Sequence, residues 1–121
     1  MVESKSAALK VTITSDLVAN RVNERSACLL TARFYTDSWV ANAPTSARYR
    51  IDNPDSNTEV VGWQTLTPAT SNTITVTGAQ NAIVCDSSRE ERRQLTVEAT
   101  SSSTTWSATK DWWIRNLAGQ T

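Results

Sequence analysis

Histidine is absent from this 121-residue chain. With it go the commonest general base of enzyme active sites and the serine and cysteine triads built on that base. The two cysteines, Cys28 and Cys85, cannot alone supply the four ligands of a structural zinc site, and a single pair is no disulfide framework. Gly62, Gly78 and Gly119 are the three glycines, too far apart to build a phosphate-cradling loop. Net charge is missing as well, because 12 basic residues balance 12 acidic ones, so the basic excess expected of a nucleic-acid-binding domain is not there. No apolar run approaches the roughly 20 residues of a membrane-spanning helix. The opening MVESKSAALKVTITS mixes charges into a short apolar alternation, unlike a secretory signal. These absences lead us to expect synthesis in a cytoplasm with both thiols reduced, and no metal, cofactor, nucleic acid or membrane insertion.

What is present is a two-residue period. ALKVTIT sets Leu9, Val11 and Ile13 against Lys10, Thr12 and Thr14, the pattern of a half-buried strand. ACLLTARFY turns Cys28, Leu30, Ala32 and Phe34 to one side, and ARYRID does the same with Ala47, Tyr49 and Ile51. After the turn chemistry of NPDSN, EVVGWQTL forms a fourth strand with Gly62 as a bulge or close-approach point. TITVTG, RRQLTVEATS and TWSATKDWWIRNL complete the set, with Ile74, Val76, Leu95, Val97 and Ala99 inward. About seven short antiparallel strands with turn signals between them predict an all-β, immunoglobulin-like sandwich. It is expected to form a single domain over residues 1–121, its core running from about residue 8 to about residue 117.

Two stretches break the period. DLVANRVNERSA spaces its apolar residues irregularly and reads as a long loop containing a helical turn. In SSREERRQ, Ser87 stands three residues before Glu90 and Ser88 three before Glu91, a capping-box spacing that predicts a short helical turn ahead of the next strand.

The remaining candidates for chemistry are carboxylates, Asp52, Asp55, Glu59, Glu90 and Glu91. Their turn and outward positions suit solvated charge better than a paired acid and base, so the chain reads as a non-enzyme. The mixed-sign run Arg89 to Arg93 has two readings. It is either a solvated loop or self-neutralising ion-pair network, or a docking loop in which Arg92 or Arg93 is a bidentate anchor for a partner. Arg48 and Arg50 add two arginines to one outward strand face, with no aromatic in line with them.

Among the aromatics, Trp63 and Trp106 fall where a sandwich needs large core groups. Trp39, in the loop TDSWVANAPTS, either caps one end of the sandwich or is offered to a partner. The adjacent pair Trp112 and Trp113 must face opposite ways in a strand. Parity from Ala108 sends Trp112 and Ile114 inward and leaves Trp113 outward beside Arg115, a composition common at binding hot spots. A closing edge strand and tail, Trp113 to Thr121, thereby become a candidate docking element. The candidate partner-binding residues are Trp39, Arg48, Arg50, Arg92, Arg93, Trp113 and Arg115.

PTSARYRIDNP, GWQTLTPATSNTITVT, NAIVCDSSREERRQLTVEAT and the ending IRNLAG resemble the small immunoglobulin-like or fibronectin-type-III-like virion proteins of tailed bacteriophages, over most of the chain from about Val11 to Gly119. The resemblance implies a structural accessory of the particle, such as a capsid decoration protein or a neck or tail component, made in the host cytoplasm and resident in the virion. Its partners would be other virion proteins and copies of itself. Antibody-type domains differ in carrying a Trp where Tyr49 stands and a Cys on the sixth strand, whereas Cys85 precedes that strand. This departure argues against an oxidised core staple. The alternative is a carbohydrate-binding or host-adhesion module, with Trp39 and Trp113 stacking on a surface glycan.

Overall fold

The computed structural model describes residues 9–83, 89–101 and 104–116. Eight strands run in chain order: β1 (Leu9–Ser15), β2 (Arg21–Asn23), β3 (Cys28–Thr36), β4 (Ser46–Asn53), β5 (Thr58–Leu66), β6 (Ser71–Val76), β7 (Glu90–Ser101) and β8 (Thr104–Arg115). They form a three-stranded sheet of order β1-β3-β6 and a five-stranded sheet of order β2-β8-β7-β4-β5. This is an all-β, immunoglobulin-like sandwich. All seven strands expected from the two-residue period are present. The eighth, β2, is three residues long, too short for periodicity to register, and lies in the stretch expected to be a loop. It pairs parallel to β8, with Arg21 opposite Trp113, Val22 opposite Ile114 and Asn23 opposite Arg115. The expected helical turn in that stretch is a 3-10 turn, Val18–Asn20.

Alternation produces the core directly. β3 buries Cys28, Leu30, Ala32 and Phe34 while exposing Leu29 and Arg33. Opposite them lie Ile51, Leu95, Val97, Ala99, Trp112 and Ile114, with Ile74 and Val76 from β6. Tyr49 and Trp106 are half-buried and pack on the rim of this cluster. The thiol of Cys28 is free. Burial pushes its pKa above the usual 9.0, while the hydrogen bond from Asn81 lowers it and nearby Asp16 raises it. Cys85 lies outside the described residues, as do Ser87 and Ser88 of the expected capping box. Glu90 to Gln94 are strand, not helix. Once β7 pairs with β8 over its whole length, the ladder outweighs the capping signal.

The turn at NPDSN forms as expected. Asn53 Oδ1 accepts hydrogen bonds from the backbone N–H groups of Asp55 (3.0 Å) and Ser56 (3.3 Å), an Asx-type turn. Gly62 also does what its position suggests. The β4–β5 register slips between Tyr49 and Ile51, so that Gly62 and Trp63 together oppose Arg50, the signature of a β-bulge.

Candidate partner-binding face

The outer face of the five-stranded sheet gathers most of the candidate residues. Registers across β4, β7 and β8 set Arg48 beside Glu98, Asp52 beside Gln94 and Asp111, and Arg92 beside Trp113. Directly opposed residues in an antiparallel pair share a face. Arg48, Arg50, Arg92, Trp113 and Arg115 therefore stand on one surface.

Trp63 stands there too, which corrects its assignment to the core. Alternation counted back from buried Leu66 puts residues 65 and 63 outward, and the half-buried indole is covered by arginines rather than by the other sheet. The guanidinium carbon of Arg48 lies 3.9 Å from the Trp63 ring centroid and that of Arg50 lies 5.4 Å away. The two arginines expected to lack aromatic support thus flank one. Parity counted back from Leu66 is the sequence signal for the outward indole.

Arg48, Arg50 and Arg92 are also tied to carboxylates. Arg48 reaches Glu98 at 2.8 Å. Arg50 holds both carboxylate oxygens of Asp52 at 2.7 and 2.9 Å and touches Glu59 at 3.4 Å. The Asp52 hydrogen bond raises the Arg50 pKa further, outweighing the smaller lowering by burial. Arg92 bridges Asp55 (2.9 Å) and Asp111 (3.1 Å), while its buried Nε has no hydrogen-bond partner among the described residues. Arg21 of β2 meets Glu90 at 3.3 Å. Such exposed pairs contribute little stability, but they hold long side chains flat and preorganised. The self-neutralising reading of the Arg89–Arg93 run does not describe Arg92, whose carboxylate partners Asp55 and Asp111 lie outside the run; it describes the Arg93–Glu91 pair.

Arg93 is different, and its assignment as a partner anchor is corrected. It is fully buried, because the inward parity of Leu95, Val97 and Ala99 continues back through Arg93 and Glu91. Its Nη1 meets the equally buried Glu91 at 3.2 Å. Its Nη2 donates to the Ala82 carbonyl at 2.7 Å, at the end of a 3-10 turn, Ala79–Asn81. Asn81 in that turn accepts the Trp112 indole N–H at 3.0 Å and donates to the Ser26 carbonyl at 2.7 Å. This polar cluster closes one end of the sandwich. Gly78 is required beside it, since a Cβ there would collide with the Arg25 carbonyl. Of the five carboxylates singled out from the sequence, Glu91 is the buried exception.

Trp113 is 37% exposed, outward as parity requires. It does not lie on a free edge, however, because β2 pairs with β8 there. That corrects the expected open docking strand. Residues 117–121 of the proposed tail lie outside the described residues. Arg115 lines, with Arg21, Val22 and Asn23, a depression of about 270 Å³. A second, of about 280 Å³, lies among Ser46, Ala47, Arg48, Thr65, Glu98, Thr100 and Thr105.

Trp39 stands apart from this face. It is 57% exposed in a tight turn where its φ is +66°, a conformation bulky residues rarely adopt. Its ring packs on Tyr35, with centroids 5.4 Å apart, and under Lys10 Nζ at 4.4 Å. Tyr35 and Lys10 are paired on the outer face of the three-stranded sheet. Trp39 and Trp113 therefore belong to opposite outer faces and cannot stack on one sugar chain together.

Among the described residues, no group of three or more Cys, Asp or Glu side chains is arranged to hold a metal ion, and no helix is long and apolar enough to cross a membrane. No family model and no curated protein matches the sequence. Among solved structures, a conjugative transposon lipoprotein from Bacteroides eggerthii is similar over 84% of this chain and 95% of its own, at 12% identity and a TM-score of 0.46.

Proposed function

We propose that this chain is a non-enzymatic virion accessory of a tailed phage, a capsid decoration or head–tail protein that docks through the outer face of its five-stranded sheet. The observation that carries the binding reading is the Arg48–Trp63–Arg50 stack on an open sheet face. Trp and Arg are the residue types enriched at binding hot spots, and here salt bridges fix them in place before any partner arrives. The virion assignment rests on the resemblance of RYRIDNP, NAIV and ERRQLTV to phage particle proteins. Asp52, Asp55, Glu59, Glu90, Glu91 and Asp111 each face a guanidinium, an arrangement suited to scaffolding rather than to proton transfer. Arginines already matched to carboxylates favour a mixed-charge protein surface over a nucleic-acid backbone.

The exposed Trp39 supports a second reading, a single-aromatic sugar platform on the opposite face. Quantitative mass spectrometry of purified particles separates the two. The proposal expects a fixed copy number of this chain that matches symmetry-related positions on the head, neck or tail. Absence from particles, together with Trp39-dependent glycan binding by the isolated protein, would replace it with the second reading.

A further inference from the structure

We infer that the outer face of the three-stranded sheet is a binding site for an acidic polysaccharide, in which Trp39 stacks on a sugar ring while Arg33 and Lys10 take the carboxylates of uronate units. This assignment rests on the reading of Trp39 as a sugar platform, and it leaves the opposite sheet free to dock on a particle.

The turn that carries the indole holds it at a conformational cost. β3 ends at Thr36, and the chain folds back so that Tyr35 bridges Ala41. The Thr36 N–H donates to the Val40 carbonyl at 2.7 Å, and the Trp39 N–H donates to the Thr36 carbonyl at 2.9 Å. Position 39 then takes a φ of +66°, where glycine is the default residue. Backbone strain of this kind concentrates at active sites and ligand clamps. What tryptophan provides there is a placed ring. Its indole leans over Lys10 and Tyr35, direct neighbours in the β1–β3 ladder, with Lys10 Nζ on one ring face and the Tyr35 ring tilted by 58°. These contacts fix the indole, and its exposed remainder offers a flat apolar surface on which the C–H face of a sugar packs.

Charge selects the class of sugar. On the five-stranded sheet, Arg48, Arg50 and Arg92 are matched to carboxylates. On this sheet the exposed Arg33 donates from Nη1 to the Thr14 hydroxyl at 3.1 Å, and Lys10 lies over the Trp39 ring. Among the described residues neither cation forms an ion pair, although Asp16 and Asp37 stand at the two ends of the face. Arg33 precedes Tyr35 by two residues and so lies about 7 Å from it along the same strand face. A sugar chain stacked on Trp39 reaches it by following β3. Thr12 and Ser71 flank Arg33 on either side, and their hydroxyls can both donate to and accept from those of a sugar. Two cations are fewer than the charged track that holds a nucleic-acid backbone, whereas a uronate chain asks for one cation per bound carboxylate.

Isothermal titration of the full chain with oligogalacturonate, and with the neutral methyl ester of the same oligosaccharide, tests this. Oligogalacturonate is expected to bind roughly tenfold more tightly at low salt, with the preference shrinking as salt screens it. Trp39→Gly removes the indole and suits the turn, so it should abolish binding of both oligosaccharides while thermal denaturation still shows a folded domain. The double variant Lys10→Gln, Arg33→Gln should lower the affinity for oligogalacturonate to that for the ester. Equal wild-type affinities for the two overturn the acidic assignment and leave the sugar platform standing. Binding of neither at millimolar ligand overturns both, as does binding that survives Trp39→Gly. A preference that persists in the double variant removes Arg33 and Lys10 from the site and overturns the assignment. Tighter binding of a single-stranded oligothymidylate overturns it in favour of nucleic acid.

Discussion

Replacing Arg93 by Ala is expected to destabilise the domain by about 3–5 kcal/mol, the usual cost of leaving one member of a buried ion pair behind. The loss has three sources. The Glu91 carboxylate, buried beside it, loses its guanidinium. The Ala82 carbonyl loses a 2.7 Å donor. The 3-10 turn Ala79–Asn81, which holds the Trp112 indole through Asn81, loses the cation that ties it to β7. For a chain of this size the thermal midpoint should fall by roughly 10–25 °C. Arg93→Lys should recover only part of this, because an ammonium cannot serve the carboxylate and the backbone carbonyl with the same planar fork. Arg48→Ala, on the surface, should cost no more than about 1 kcal/mol. Thermal denaturation of the three variants side by side is sufficient. Equal midpoints for Arg93→Ala and Arg48→Ala would return Arg93 to the surface role that its charge alone suggests.

Phe34→Ala should be comparably damaging, at about 3–5 kcal/mol. Phe34 is fully buried in β3, packed within the cluster of Leu30, Ile74 and Leu95, where truncation leaves a cavity that closely paired strands cannot collapse to fill. Its neighbour Arg33 points the other way and makes one exposed hydrogen bond, to Thr14 at 3.1 Å. Arg33→Ala should lie within about 0.5 kcal/mol of wild type. Denaturant midpoints of the pair report the register of β3, since a one-residue slip would exchange the two outcomes.

The strands and core were legible because one physical rule, alternation against a two-sided sheet, governs both. The same rule placed Trp112 inward and Trp113 outward. Where expectation and structure differ, a residue's chemical type points one way and its parity the other. Arg93 reads as surface because it is charged, yet it lies two residues before Leu95 on the same face of one strand, and counting back from Leu95 buries it. Trp63 reads as core because it is large, yet counting back from Leu66 exposes it. Other features had no sequence signal of sufficient length. β2 is too short to show a period, and Asn81 reaches Trp112 across 31 residues of chain. The candidate face shares this limit. Arg48 and Arg50 were visible as a pair, but the indole between them arrives from β5 through a bulge whose register only strand pairing defines.

Docking through the outer face of the five-stranded sheet is tested most directly by particle occupancy of Trp63→Ala and Trp113→Ala, measured together with the thermal midpoint of each free protein. Truncating a hot-spot aromatic costs about 2 kcal/mol or more of binding, roughly thirtyfold in affinity. Neither side chain belongs to the buried core. Occupancy of the Trp63 variant should therefore fall at least tenfold at limiting protein, and that of the Trp113 variant should fall measurably, while both midpoints stay within a few degrees of wild type. Normal occupancy for both variants, or losses only in proportion to unfolding, would contradict the account.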